Sequence, residues 1–80
     1  MPRLRLRLSF SSALVTEPVI WKLGTQFSIV TNIRRADVSR DEGWVILEIT
    51  GEEEELQRGV AWLGEQGVGV QSVDGDALDG

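Results

Sequence analysis

An α+β sandwich, one four-stranded antiparallel sheet with two helices on one face, is what three features of this chain predict. Leu4, Leu6, Leu8 and Phe10 recur at period two, as in a half-buried strand. Ile20, Leu23 and Phe27 follow at helical spacing, and residues 29–38 return to extended character. After a turn the order repeats: a strand over residues 44–50, a helix carrying Leu56, Val60 and Leu63 at i, i+4, i+7, and a closing strand through Val68, Val70 and Val73. Two strand-helix-strand units in succession make the ferredoxin-like βαββαβ sandwich. That architecture hosts many activities, so function has to be argued from particular residues.

Each element has its local reason. The first strand, residues 3–10, places its Leu residues on a core face and Arg3, Arg5, Arg7 and Ser9 on the other. Thr16 is the expected N-cap of the first helix, with Glu17 favourable to its dipole, Pro18 tolerated in its first turn, and Val15 placed to staple against Ile20. Gly24 within that helix suggests close packing on the sheet. Ser39-Arg40-Asp41-Glu42-Gly43 supplies hairpin turn chemistry. The third strand sends Val45, Leu47 and Ile49 to the core and leaves Trp44, Ile46, Glu48 and Thr50 on the face without helices. Thr50 with Glu53, or Gly51, is expected to cap the second helix, which ends near Gln66 with Gly67 at C′. Residues 1–73 form the predicted domain, and residues 74–80 an acidic, Gly-containing tail expected to be disordered.

Composition narrows the chemistry. Eighty residues support one core. The chain has no Cys and no His, which removes thiolate and disulfide chemistry, zinc-finger ligation and the usual general base near neutral pH. No apolar run approaches the roughly 20 residues of a membrane helix, and the opening residues do not read as a signal peptide; a cytoplasmic protein is expected. The net charge is −5, but residues 1–40 hold seven Lys/Arg against two Asp/Glu, and residues 41–80 hold one against eleven. The usual strand order of this fold, 4-1-3-2, interleaves the halves and predicts cross-strand pairs such as Arg5 with Glu48.

Few residues suggest a site. Glu52-Glu53-Glu54-Glu55 has the carboxylates of a cation site, yet consecutive helical residues point in different directions and suit the positive end of a helix dipole. Arg3, Arg5 and Arg7 make a basic stripe, but RNA-binding sheets of this topology stack bases on aromatics, and only Trp44 is placed to do so; nucleic acid is disfavoured. No motif pairs carboxylates for catalysis, and no Gly-rich phosphate loop is present, so no enzyme, cofactor or metal is expected. Trp44 and Ile46 are the anomaly: large apolar residues on a bare sheet face mark a covering partner, and a second copy is the commonest cover for a small domain.

Thr31-Asn32-Ile33-Arg34, taken with Glu17-Pro18-Val19-Ile20, Gly43-Trp44-Val45-Ile46-Leu47-Glu48-Ile49-Thr50-Gly51, Ala61-Trp62-Leu63 and Gln66-Gly67-Val68, resembles the NIL domain, named for an Asn-Ile-Leu motif. Arg34 stands where that motif has Leu. The resemblance implies a ferredoxin-like regulatory domain, found at the C-terminus of ATPase subunits of methionine-import ABC transporters, where it pairs with its twin and binds methionine near the dimer interface. Other members are fused to ferredoxin modules or stand alone. It implies a homodimer, an amino-acid ligand contacted by Asn32 and Arg34, an interface at Trp44 and Ile46, and a transporter ATPase or ferredoxin-type partner. The alternative is a protein-interaction module without a ligand.

Overall fold

The computed structural model describes residues 2–73, so the expected tail at residues 74–80 lies outside the described residues. The elements run β1 (Arg3–Phe10), α1 (Val19–Gln26), β2 (Val30–Val38), β3 (Gly43–Thr50), α2 (Glu53–Glu65) and β4 (Gly69–Ser72). The sheet order is β2-β3-β1-β4, and every pairing is antiparallel. This is the predicted ferredoxin-like arrangement, with the first and third strands central.

Register puts the apolar side chains of the two central strands on one side. Leu4, Leu6 and Leu8 stand opposite Ile49, Leu47 and Val45, and these face α1 and α2. Leu6, Leu8, Leu23, Leu47, Ile49, Leu56 and Leu63 are the largest fully buried side chains. Burial of each contributes about 1.5–3 kcal/mol. The two helices meet where the Phe27 and Trp62 rings stand edge to face, 5.9 Å between centroids.

The helix ends depart from expectation in instructive ways. Residues 11–17 form successive turns, with Val15 N–H donating to Ser11 O at 2.9 Å and Glu17 N–H to Leu14 O at 3.0 Å. These turns absorb Thr16, and the N-cap becomes Pro18, whose carbonyl accepts the Lys22 N–H at 3.0 Å. The α2 N-cap is Glu52, without a side-chain cap; neither Thr50 nor Gly51 takes that place. Gly24 is not a close-packing device either, because a Cβ there would meet only ordinary contacts, the nearest 3.8 Å away at Thr31. The C-terminus of α2 follows expectation. Gly67 has φ +87°, and Gly67 N–H to Gly64 O and Val68 N–H to Leu63 O, both 3.1 Å, close a Schellman motif.

Candidate functional site: the open sheet face, the free edge and an apolar cavity

The face without helices is polar and layered. Across β1, β3 and β2 it presents the rows Arg5, Glu48, Asn32, then Arg7, Ile46, Arg35, then Ser9, Trp44, Asp37. Glu48 is only 8% exposed. Arg5 donates to it at 2.8 Å, and Arg3 lies 3.7 Å away. The Arg5 hydrogen bond holds the Glu48 carboxyl below its usual range against the opposing effect of burial, with the charges of Arg3, Arg5 and Arg34 adding to it. The expected Arg5–Glu48 pair is therefore present. The charge asymmetry of the sequence nevertheless survives folding in part: Arg3, Arg5, Arg7 and Arg35 share this face with Glu48 and Asp37, while Glu53, Glu54 and Glu55 open α2 on the other side of the sheet.

Trp44 and Ile46 lie on this open face, as expected, but they are not bare. Ile46 is 5% exposed. It sits between Arg7 and Arg35, directly opposite it on the two neighbouring strands. Long Arg stems cover apolar surface while their heads stay wet. The Arg7 guanidinium also lies 5.2 Å from the centre of the Trp44 ring, on the face a stacked base would need. The large exposed apolar residues are instead Trp21, Val30, Ile33 and Val38.

Three of those four belong to β2, the free edge strand. All of β2 is exposed except the half-buried Thr31. A β-bulge falls between Ile33, which pairs with Leu47, and Arg35, which pairs with Ile46. Arg34 is the inserted residue, left without a ladder partner. Before the bulge Asn32 shares the open face, and after it Arg35 and Asp37 do. Ile33, Ala36 and Val38 lie on the helix side, but the helices do not cover this margin: Ile33 is 54% and Val38 58% exposed. Register alone therefore does not make Ile33 a core residue.

The concave site lies at the far end of β2. Phe10, Val15, Val19, Ile20, Val45 and Val38 enclose most of an open apolar cavity of about 230 Å³, with Leu14, Pro18 and Trp21 completing the wall. Glu17 is the one charged residue on it, and it pairs with Lys22 at 3.5 Å. The cavity exists because the turns between β1 and α1 spread over the end of the sheet before a short helix begins. Sequence reading used Val15 and Ile20 only as a staple; the signal available was the pair of apolar residues, Leu14 and Val15, inside a loop. Asn32 and Arg34 are not brought to this cavity. They sit on or beside the opposite face, exposed, toward the other end of β2.

At the other end of α1, Glu55 accepts the Ser28 N–H at 2.8 Å and an Arg58 N–H. The Ser28 hydrogen bond, with Arg58 assisting, keeps the Glu55 carboxyl below its ordinary range. A second carboxylate of the Glu run is also engaged locally: Glu53 accepts from Gln57 at 3.3 Å. Among the described residues no group of three or more His, Cys, Asp or Glu is placed to hold a metal ion, and no helix is long and apolar enough to cross a membrane.

Comparison with known proteins gives structural neighbours and one family match. The C-terminal domain of an ABC transporter ATP-binding protein from Enterococcus faecalis is similar in structure, with a TM-score of 0.77 and 16% identity over 90% of this chain and 84% of that one. A de novo designed protein, Ferredog-Diesel, is similar with a TM-score of 0.53 and 16% identity over 91% and 85%. At these identities the likenesses speak to fold. A comparison with curated proteins gives no match. The family profile of the NIL domain matches residues 4–72, nearly the whole chain, and the chain belongs to the NIL domain family.

Proposed function

We propose that this chain is a non-enzymatic regulatory module, dimeric, that takes a small apolar molecule of amino-acid size and passes its bound state to a protein partner of the transporter-ATPase kind. The cavity between the β1–α1 turns, α1 and the end of β2 carries this reading. Its apolar wall and about 230 Å³ of space suit the side chain of an apolar amino acid. The Glu17–Lys22 pair near its mouth offers an anionic and a cationic group to a zwitterion. NIL membership and the likeness to a domain of an ABC transporter ATP-binding protein support the regulatory role and the partner class. Asn32 and Arg34, exposed toward the other end of β2, are a competing ligand site.

A thermal-shift screen of amino acids, methionine included, tests the reading. A ligand at a hundredfold over its dissociation constant adds about 2.7 kcal/mol. For a domain this size that raises the midpoint by about 10 °C or more. The shift should vanish in Val15→Phe, which fills the cavity, and persist in Asn32→Ala. Loss in Asn32→Ala alone would move the site to the other end of β2. No shift with any amino acid would remove the ligand and leave an interaction module.

A further inference from the structure

We infer that the helix-free face of the sheet is a docking surface for an acidic protein partner, centred on Trp44 and the Arg7 guanidinium beside it, with Arg35 as its second anchor. This surface rests on the regulatory reading above only for the existence of a protein partner, and it supplies the place where that partner is met. Charge is segregated by face. Arg3, Arg5, Arg7 and Arg35 share the open face with two carboxylates, Glu48 and Asp37, in a chain whose net charge is −5. Arg34, at the bulge, is near enough for its charge to act on Glu48. An acidic surface therefore has one favourable side from which to approach.

The kind of cation narrows the partner. The chain has one Lys, Lys22, and it lies in α1, so every cation on the open face is Arg. Interfaces are enriched in Arg and Trp and poor in Lys: a guanidinium is weakly hydrated, and its fork meets a carboxylate through two parallel hydrogen bonds. Arg7 already stands 5.2 Å from the Trp44 ring centre, so less of its freedom is lost on binding. Arg35 is exposed and has no ion pair among the described residues. A sheet four strands wide with a first strand of 8 residues presents on the order of 500 Å², the scale of a transient contact steered by charge. Phosphate polymers fit this face less well. Glu48 and Asp37 stand in the path of a continuous backbone, and Arg7 takes the ring face on which a base would stack. The position also suits a regulatory contact. Phe10, Val45 and Val38 wall the cavity, and their strand neighbours Ser9, Trp44 and Asp37 form one row of the open face. Successive side chains leave opposite sides of a strand, so a partner on that row is one backbone layer from whatever the cavity holds.

The test is an NMR titration of the isotope-labelled full chain with a synthetic peptide of alternating Glu and Ala, run beside the same peptide with Gln for Glu, oligouridylate RNA and phosphatidylserine vesicles. The Glu peptide should move the amides of Ser9, Asn32 and Gln71 and the Trp44 indole N–H, and leave α2 unmoved. Arg35→Gln, at an exposed position, should weaken it about tenfold, and Arg7→Gln likewise. Arg35→Lys, which keeps the charge and loses the fork, should recover only part of that affinity, and Arg58→Gln, which removes the same charge from α2, should change nothing. Full recovery in Arg35→Lys, or an equal loss in Arg58→Gln, would reduce the effect to net charge and overturn the surface. Equal binding of the Gln peptide overturns the acidic chemistry, and tighter binding of RNA or vesicles at the same residues overturns the protein partner. No response to the Glu peptide removes this docking surface alone, since the amino-acid screen reads the cavity separately and still decides the ligand.

Discussion

Gly51 joins β3 to α2 where the chain between α1 and β2 crosses closest, and adding one carbon there should unfold the domain several degrees earlier. A Cβ at Gly51 would lie 2.8 Å from the backbone oxygen of Ser28 and 3.7 Å from the Ile29 Cα. The first contact is several tenths of an ångström too short, and the obstacle is a peptide group. It also cannot retreat freely, since the Ser28 N–H is held by Glu55 at 2.8 Å and Gly51 itself donates to Pro2 O at 3.1 Å. Forced overpacking of this kind costs about 1–3 kcal/mol. For a domain of this size each kcal/mol moves the midpoint by about 4–8 °C, so Gly51→Ala should melt roughly 5–20 °C below the unaltered chain. Gly64→Ala is the internal control. It lies in α2 with nothing within 4 Å of its added carbon, and relief of the glycine penalty should raise stability by about 1 kcal/mol. Thermal melts and urea titrations with unchanged slopes read both. If Gly51→Ala is as stable as the unaltered protein while Gly64→Ala gains, the crossing at Ser28 is looser than this geometry requires and the reasoning fails.

Acid should weaken the fold through two carboxylates. Glu48 and Glu55 both titrate below the ordinary value of 4.5. Their contribution is therefore complete above the unfolded value and is lost as pH falls through the lower folded values. Melting midpoints should be level near neutrality and decline below about pH 5, with a shallower decline in Glu48→Gln; a midpoint that rises into acid contradicts the assignment. Arg7 should prove to be a cover as well as a charge: Arg7→Ser exposes Trp44 to acrylamide quenching and forfeits a cation–π contact of about 0.5–1 kcal/mol, whereas Arg7→Met, keeping an apolar stem, should shield Ile46 and lose less. Equal quenching in the two variants would show that the stem covers nothing.

The strands were legible because their periodicity is enforced by one buried face. Leu4, Leu6, Leu8 and Phe10 can alternate into the core in only one register, and a slip by one would put Arg3, Arg5, Arg7 and Ser9 there. The same constraint made the Arg5–Glu48 pair readable once the strand order was assumed. Gly67 was legible for a different reason: helix C-termini favour the left-handed conformation that glycine adopts without a Cβ clash. The N-termini were not, since Thr16 and Thr50 have the right chemistry for caps but lose to the turns and backbone contacts around them. Nor was Gly51, where the requirement is a neighbour 23 positions away in sequence, at Ser28.

What the sequence could not carry was coverage. Periodicity says which face a residue takes; it does not say how far the helices reach across the sheet or what stands on the next strand. Ile33 and Ile49 both take the helix side by alternation, yet Ile49, on a central strand, is fully buried and Ile33, on the edge, is 54% exposed. Ile46 shows the converse. Its place on the open face was correct, and its apparent greasiness dissolves once pairing brings Arg7 and Arg35 to either side. The bulge at Arg34 compounds this, because one extra residue returns the strand to the opposite parity halfway along and no local pattern announces it. A site that depends on an edge strand and a loop is thus set by strand order and by the length of a helix, and neither is written in the local alternation of apolar and polar residues.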